Sequence, residues 1–139
     1  NRPNGIALSN DGGTLAVSDS GGEFTWTFRV NAGGELDAKM PTMPMRRPID
    51  PQGEFNRHQP PPYRAASRGD GMAVDKTGRY YVTSAVGVQV FDPTGRPCGV
   101  LPKPDATQPL TSCVLAGPNR DYLYMTNGST VFRRKLTVD

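Results

Sequence analysis

Short runs of alternating hydrophobic and polar residues, separated by glycine-containing turns, follow one another along the chain. Residues 4–8 form the first run, a turn follows at 10–13, and residues 15–18 form the second run. In the third run, 24–30, aromatic residues and valine alternate with threonine and arginine. Alternation with a period of two is typical of β-strands. The pattern predicts an antiparallel meander whose large residues, Trp26 among them, share one buried face.

The same order of strand, turn and strand recurs twice. It returns at residues 70–83 and 111–126, and a further strand is predicted after each pair, at 86–91 and 130–136. The repeats begin 66 and 41 residues apart, and the second interval matches the roughly 40 to 50 residues of one propeller blade. The sequence therefore predicts an all-β fold, a partial β-propeller of about three antiparallel blades, with a β-sandwich as the alternative. No segment has the 3.6-residue periodicity of a helix.

The longer first interval indicates an insertion at about residues 40–68. It contains seven prolines and no sustained periodicity. Proline lacks the N–H that a strand needs, so we expect mostly a long loop within one propeller arc that spans 1–139. His58, the one histidine of the sequence, lies in this loop. We expect it to be a surface residue; the alternative is a general base held over the channel mouth.

Composition and charge exclude some classes of function. The net charge is +3 and the pI about 9.1, but the basic residues are scattered along the sequence, which argues against nucleic-acid binding. No apolar run approaches the roughly 20 residues of a membrane-spanning helix. We expect a soluble protein, from the cytoplasm, the periplasm or outside the cell. Cys98 and Cys113 fit no zinc-ligand spacing, and we expect two buried free thiols, with a disulfide as the alternative.

Two polar residues, Asn4 and Asp70, stand where the first strand of a repeat begins. Each precedes a glycine and follows loop residues, whereas Asp11 and Asn127 precede glycines between two strands, as hairpin turns do. If the first strand of each blade is innermost, Asn4 and Asp70 lie at the rim of the central channel. Their oxygens are ligands for hard cations such as Ca²⁺, Mg²⁺ or Mn²⁺.

The chain resembles the senescence marker protein/gluconolactonase family, which includes regucalcin and bacterial lactonases. The resemblance rests on Arg-Pro-Asn-Gly-Ile-Ala-Leu-Ser-Asn-Asp-Gly at 2–12, Leu-Ala-Val-Ser-Asp-Ser at 15–20, Gly-Asp-Gly-Met-Ala-Val-Asp at 69–75, Gly-Val-Gln-Val-Phe-Asp at 87–92 and residues 115–124. It implies a six-bladed propeller with one divalent cation in its channel. Asn4 and Asp70 match the family's Asn and Asp ligands, and Asp70 also matches its general base. The third ligand of the family, a Glu, has no counterpart here.

The resemblance further implies that the chain is the C-terminal half of such a protein and that its partners are the N-terminal blades of the same polypeptide. The implied activity is hydrolysis of small or sugar lactones with a divalent cation, most simply Ca²⁺, with Zn²⁺, Mg²⁺ and Mn²⁺ as alternatives. We expect the isolated chain to be inactive. At the third strand opening the family commonly has Thr-Asn, whereas this chain has Thr111-Ser112. The alternative function is a non-catalytic propeller module that binds a protein or a carbohydrate.

Overall fold

The computed structural model describes residues 1–49 and 64–137. Within these ranges there are eleven β-strands and no helix. The strands are β1 (Pro3–Leu8), β2 (Thr14–Asp19), β3 (Phe24–Val30), β4 (Leu36–Pro44), β5 (Met72–Val74), β6 (Tyr80–Ser84), β7 (Gly87–Phe91), β8 (Pro97–Leu101), β9 (Leu110–Ala116), β10 (Tyr122–Asn127) and β11 (Thr130–Lys135).

The strands form three consecutive antiparallel meanders. The first sheet has the order β1-β2-β3-β4, the second β5-β6-β7-β8 and the third β9-β10-β11. β1 contacts β5, and β5 contacts β9. The first strand of each sheet therefore lies beside the first strand of the next, which is the arrangement of inner strands in a propeller. The predicted all-β partial propeller is confirmed, and the chain is not a sandwich of two facing sheets.

Hydrophobic side chains fill the two spaces between neighbouring sheets. The cluster between the first and second sheets contains Ala16, Met43, Met45, Met72, Tyr80, Val82 and Phe91. The cluster between the second and third sheets contains Tyr81, Val88, Leu110, Cys113, Leu115, Leu123, Met125 and Leu136. Both clusters include residues of the second sheet, so this sheet is covered on both faces. That explains why β6 is completely buried.

The first sheet buries the face opposite to the predicted one. Thr25 and Thr27 on β3 are buried, whereas Trp26 is only half-buried. The strand register explains the difference. Trp26 pairs with Val17 on β2 and so lies on the face turned away from the second sheet. Ile6, which also pairs with Val17, lies there too and is 62% exposed. The large residues of β3 thus lie on a flank that no described element covers.

The predicted loop at 40–68 begins later than expected, because β4 continues to Pro44. β4 is an edge strand that pairs only with β3, and an edge strand tolerates proline where the missing N–H would face solvent. Met43 pairs with Thr25 and is fully buried, so part of the insertion belongs to the core. His58 lies outside the described residues.

The cysteines behave differently from one another. Both are free thiols, but Cys113 is buried and Cys98 is exposed, so the expectation of two buried thiols is wrong for Cys98. Cys98 lies in β8, an edge strand whose burial decreases toward its N-terminal end. Burial raises the pKa of the Cys113 thiol to about 12, which keeps it protonated and unreactive. The described residues contain no helix long and apolar enough to cross a membrane.

Candidate functional site

The segments at which the three inner strands begin pack against one another through their backbones. A Cβ atom at residue 5 would lie 2.1 Å from the carbonyl oxygen of Asp70. A Cβ atom at residue 71 would lie 2.8 Å from the Cα of Ser112. Real Cβ atoms do not approach other atoms so closely, so glycine is required by space at both positions. The glycine after each candidate ligand is what allows adjacent inner strands to converge.

Buried hydroxyl groups on the second strands hold this convergence in place. The Ser18 Oγ accepts a hydrogen bond from the Gly5 N–H at 2.8 Å and donates one to the Asp70 carbonyl at 2.9 Å. In the second sheet the Thr83 Oγ1 donates to the Gly71 carbonyl at 2.7 Å. Ser18 and Thr83 are fully buried. The Ser18 hydroxyl thus pairs the Gly5 N–H and the Asp70 carbonyl, whereas the Thr83 hydroxyl adds a second bond to a carbonyl that already accepts from the Thr83 N–H.

Asn4 is connected to the Asp70 strand by one serine. The Asn4 Nδ2 donates to the Ser20 Oγ at 3.0 Å, and the Ser20 Oγ donates to the Gly69 carbonyl at 2.7 Å. Gly69 directly precedes Asp70. With its Nδ2 engaged in this way, the amide of Asn4 still has its carbonyl oxygen Oδ1 available as an acceptor. The structure thus places the two candidate ligands on neighbouring strand openings.

Asp70 faces an open cleft of about 560 Å³ that Ser20 and Thr111 also line. Partial burial raises the pKa of the Asp70 carboxyl group, against a smaller lowering effect of the neighbouring Gly71 N–H. Within the described ranges the carboxylate forms no ion pair. No described cationic side chain therefore neutralises the Asp70 carboxylate.

The donor atoms at the two strand openings fit a hard cation. An amide oxygen from Asn4 and a carboxylate oxygen from Asp70 are ligands that Ca²⁺ and Mg²⁺ accept. Among the described residues no group of three or more His, Cys, Asp or Glu side chains could hold a metal. The described part of the chain therefore offers two candidate side-chain ligands, and a complete coordination shell would require further oxygens.

Three cationic residues on the cleft wall are not predicted by the sequence to belong to the site. Arg2, Arg68 and Lys103 line the same cleft as Asp70. They come from three separate segments of the sequence, so no local motif links them. Arg68 alone has a signal in the sequence, because it stands two residues before the candidate ligand Asp70. In the structure its φ of 54° lies in the left-handed region.

Asp19, the last residue of β2, is 5% exposed. Its Oδ1 accepts hydrogen bonds from the N–H groups of Arg2 at 2.8 Å and Gly21 at 3.2 Å. Burial acts to raise the pKa of Asp19, but the hydrogen bonds it accepts lower that pKa overall. Asp19 therefore fixes the segment that leads into Asn4.

Comparison with known proteins identifies the family. The model of the SMP-30/gluconolactonase/LRE-like region matches residues 1–129. The chain belongs to this family. It is 28% identical over 134 residues to a gluconolactonase of Zymomonas mobilis, a match that covers 95% of this chain and 34% of that protein.

Solved structures of the SMP-30/gluconolactonase type have the same fold. A gluconolactonase from Xanthomonas campestris superposes with a TM-score of 0.74 at 25% identity, over 97% of this chain and 38% of that one. A calcium-binding regucalcin from Agrobacterium tumefaciens gives a TM-score of 0.67 at 17% identity, over 92% of this chain and 38% of that one. The chain thus spans about a third to two fifths of the relatives it matches.

Proposed function

We propose that this chain carries two ligands and the general base of a metal-dependent lactonase, as part of a longer SMP-30/gluconolactonase propeller. The observation that supports this most strongly is the packing of Gly5 against the Asp70 carbonyl. That contact brings the backbone segments of Asn4 and Asp70 side by side, and Asp70 lines a cleft wide enough for a sugar-sized substrate. Membership of a family with gluconolactonases among its relatives supports the choice of lactones.

In this proposal a divalent cation, when bound, polarises the lactone carbonyl as a Lewis acid. Asn4 contributes a neutral oxygen ligand through Oδ1, while Ser20 fixes the amide by accepting from Nδ2. Because Asn4 adds no negative charge, the cation remains electrophilic.

Asp70 has a second role as proton acceptor. The water oxygen forms a new bond to the carbonyl carbon while its proton passes to the Asp70 carboxylate. The ring ester C–O bond then breaks, and the departing alkoxide takes up a proton to give the hydroxy acid. Asp70 is the one carboxylate among the described residues that line the cleft, so it is the group there that can accept this proton.

The uncovered flank of the first sheet supports the view that a longer propeller surrounds this arc. Ile6 and Leu8 on β1 are 62% and 50% exposed, and Leu8 lies on the same face as Ile6 because both alternate with the inward-facing Ala7. A further blade packed against this face would bury them, as the second sheet buries the opposite face.

The test is lactone hydrolysis by the whole protein and by its Asp70→Asn variant, with Ca²⁺, Mg²⁺, Mn²⁺ or Zn²⁺ added in turn. D-glucono-1,5-lactone is the probe. The amide of the variant keeps an oxygen ligand but cannot accept the proton. Since a positioned base typically contributes about 10² to 10⁴-fold, we expect hydrolysis to fall by at least about a hundredfold. Full activity in the variant would remove Asp70 from the reaction. A wild-type protein inactive with every cation would favour a binding module.

A further inference from the structure

The cleft beside Asp70 carries an excess of positive charge. Its lining includes three cationic side chains, Arg2, Arg68 and Lys103, and Asp70 as the one carboxylate among the described lining residues. The three cations come from the segments before β1, before β5 and after β8. They are thus contributed by different parts of the arc and meet only through the fold.

These cations are not used to neutralise carboxylates in the described part of the chain. None of the three described ion pairs includes the side chain of Arg2, Arg68 or Lys103. The Lys103 Nζ donates to the Gln108 carbonyl at 3.1 Å, which fixes the ammonium without cancelling its charge.

Arg68 holds its place at a conformational cost. Its φ of 54° is rare for a residue with a side chain. Its N–H donates to the Ser20 carbonyl at 3.1 Å, and Ser20 is the residue that binds the Asn4 amide. Strained backbone of this kind persists where surrounding structure determines it and is concentrated at ligand sites. The segment that carries the exposed Arg68 side chain is therefore hydrogen-bonded to Ser20, which in turn bonds the candidate ligand Asn4.

We infer that the cleft selects lactones that carry a negatively charged group, a carboxylate or a phosphate, and that Arg68 and Lys103 bind this group. The inference rests on the proposed lactonase function and adds the substrate class to it. A guanidinium and an ammonium are the two side chains that recognise such anions. Asp70 would repel a substrate anion placed close to it, so the anion has to lie toward the cationic part of the wall. That requirement orients the lactone.

The experiment compares kcat/KM of the whole protein, with its activating cation, for three lactones. D-Glucono-1,5-lactone is neutral, 6-phospho-D-glucono-1,5-lactone carries a phosphate, and D-glucaro-1,4-lactone carries a carboxylate. We expect the wild-type protein to prefer at least one charged lactone, and the two charged lactones distinguish phosphate from carboxylate. In Arg68→Gln or Lys103→Gln we expect the ratio of kcat/KM for the charged over the neutral lactone to fall at least about tenfold, the effect of losing one charge-assisted hydrogen bond.

Two further variants keep the result interpretable. Arg68→Gly removes the charge and also relieves the positive φ, so a loss of preference in this variant does not reflect misfolding. Arg134→Gln removes an exposed arginine of β11, outside the cleft, and should leave the ratio unchanged.

A binding measurement separates this inference from the lactonase proposal. D-Glucarate and 6-phospho-D-gluconate, the open acids of the charged lactones, are titrated into the protein by calorimetry, with neutral sorbitol as the comparison. The inference is overturned if the protein hydrolyses the neutral lactone, shows no preference for either charged lactone, and keeps the same ratio in the Arg68 and Lys103 variants. The lactonase proposal then still stands. If no lactone is hydrolysed but an open acid binds and Arg68→Gly abolishes binding, the anion site stands and the lactonase falls. If no lactone is hydrolysed and no open acid binds, both the anion site and the lactonase proposal are overturned.

Discussion

The Ser18 hydroxyl donates a hydrogen bond of 2.9 Å to the carbonyl of Asp70, 52 residues away in the sequence. The same oxygen accepts from the Gly5 N–H at 2.8 Å. One buried hydroxyl therefore joins the strand that carries Asn4 to the strand that carries Asp70, and it does so through backbone groups that the close packing at Gly5 leaves without other described partners.

Replacing Ser18 with alanine should destabilise the whole protein. The change leaves the Gly5 N–H and the Asp70 carbonyl unpaired in a buried site, at a cost of about 1–3 kcal/mol. Thermal unfolding measures the loss, and lactone hydrolysis should fall as well because the Asp70 backbone is less well held. Ser129→Ala is the control, since Ser129 is exposed and its hydroxyl forms no hydrogen bond within the described part of the chain. Equal stability of the two variants would contradict this role of Ser18.

Gly5→Ala should also destabilise the protein, for a steric reason. The added Cβ would lie 2.1 Å from the Asp70 carbonyl oxygen, a backbone atom that moves only if the inner strands separate. Overpacking of this kind costs about 1–3 kcal/mol. At Gly99 a Cβ meets nothing within 4 Å, so Gly99→Ala is a matched control with little expected effect. Chemical denaturation distinguishes the two variants, and a Gly5→Ala protein as stable as the control would refute the close approach.

Asp75 should make stability depend on pH in the acid range. It is 2% exposed, and its carboxylate accepts hydrogen bonds from Thr77, Arg79 and the Tyr81 hydroxyl. Burial acts to raise the pKa of Asp75, but these hydrogen bonds lower it overall. A lowered folded-state pKa means that the stabilisation is present above the unfolded-state pKa of about 3.9. It is lost as the pH falls through the folded-state value.

Thermal unfolding of the wild type and Asp75→Asn between pH 7 and pH 3 checks this expectation. The variant should unfold at a lower temperature at pH 7 and lose less stability on acidification than the wild type. Asp121→Asn serves as the control, because the Asp121 side chain forms no described hydrogen bond. Parallel curves for wild type and Asp75→Asn would exclude Asp75 as a source of the pH dependence.

Asn4→Ala should weaken metal binding without removing the proton acceptor. We expect its lactone hydrolysis to be low at limiting Ca²⁺ and to recover in part as Ca²⁺ is raised, because a missing ligand lowers affinity and leaves the chemistry intact. Asp70→Asn should show no such recovery. Titration of activity against Ca²⁺ separates the two behaviours, and a loss in Asn4→Ala that added Ca²⁺ never reduces would argue against a ligand role.

The repeating strand pattern was sufficient to predict the fold. The glycine turns and the period-two alternation located the first three strands of each repeat, because these signals are local. β4 was missed, since its Pro41 and Pro44 indicate a loop unless the strand is known to lie at an edge. The buried face of β3 was assigned wrongly because alternation gives two faces, and only the neighbouring sheet decides which one is covered.

The candidate ligands could be predicted because Asn4 and Asp70 occupy equivalent positions before a glycine. Their supporting residues could not. Ser18 and Ser20 act on backbone carbonyls 52 and 49 residues away, and a lone serine at a strand end gives no sign of such a partner. Arg68 and Lys103, which precede the first strand and follow the last strand of the second sheet, share a cleft only through the fold.

A crystal structure of the whole protein with Ca²⁺ tests the central claim most directly. The claim is that Asn4 and Asp70 ligate one cation. It predicts a single Ca²⁺ at about 2.3–2.6 Å from both the Asn4 Oδ1 and an Asp70 carboxylate oxygen, with its remaining oxygen ligands supplied by water or by other parts of the protein. A Ca²⁺ bound elsewhere, with neither Asn4 nor Asp70 among its ligands, would contradict it.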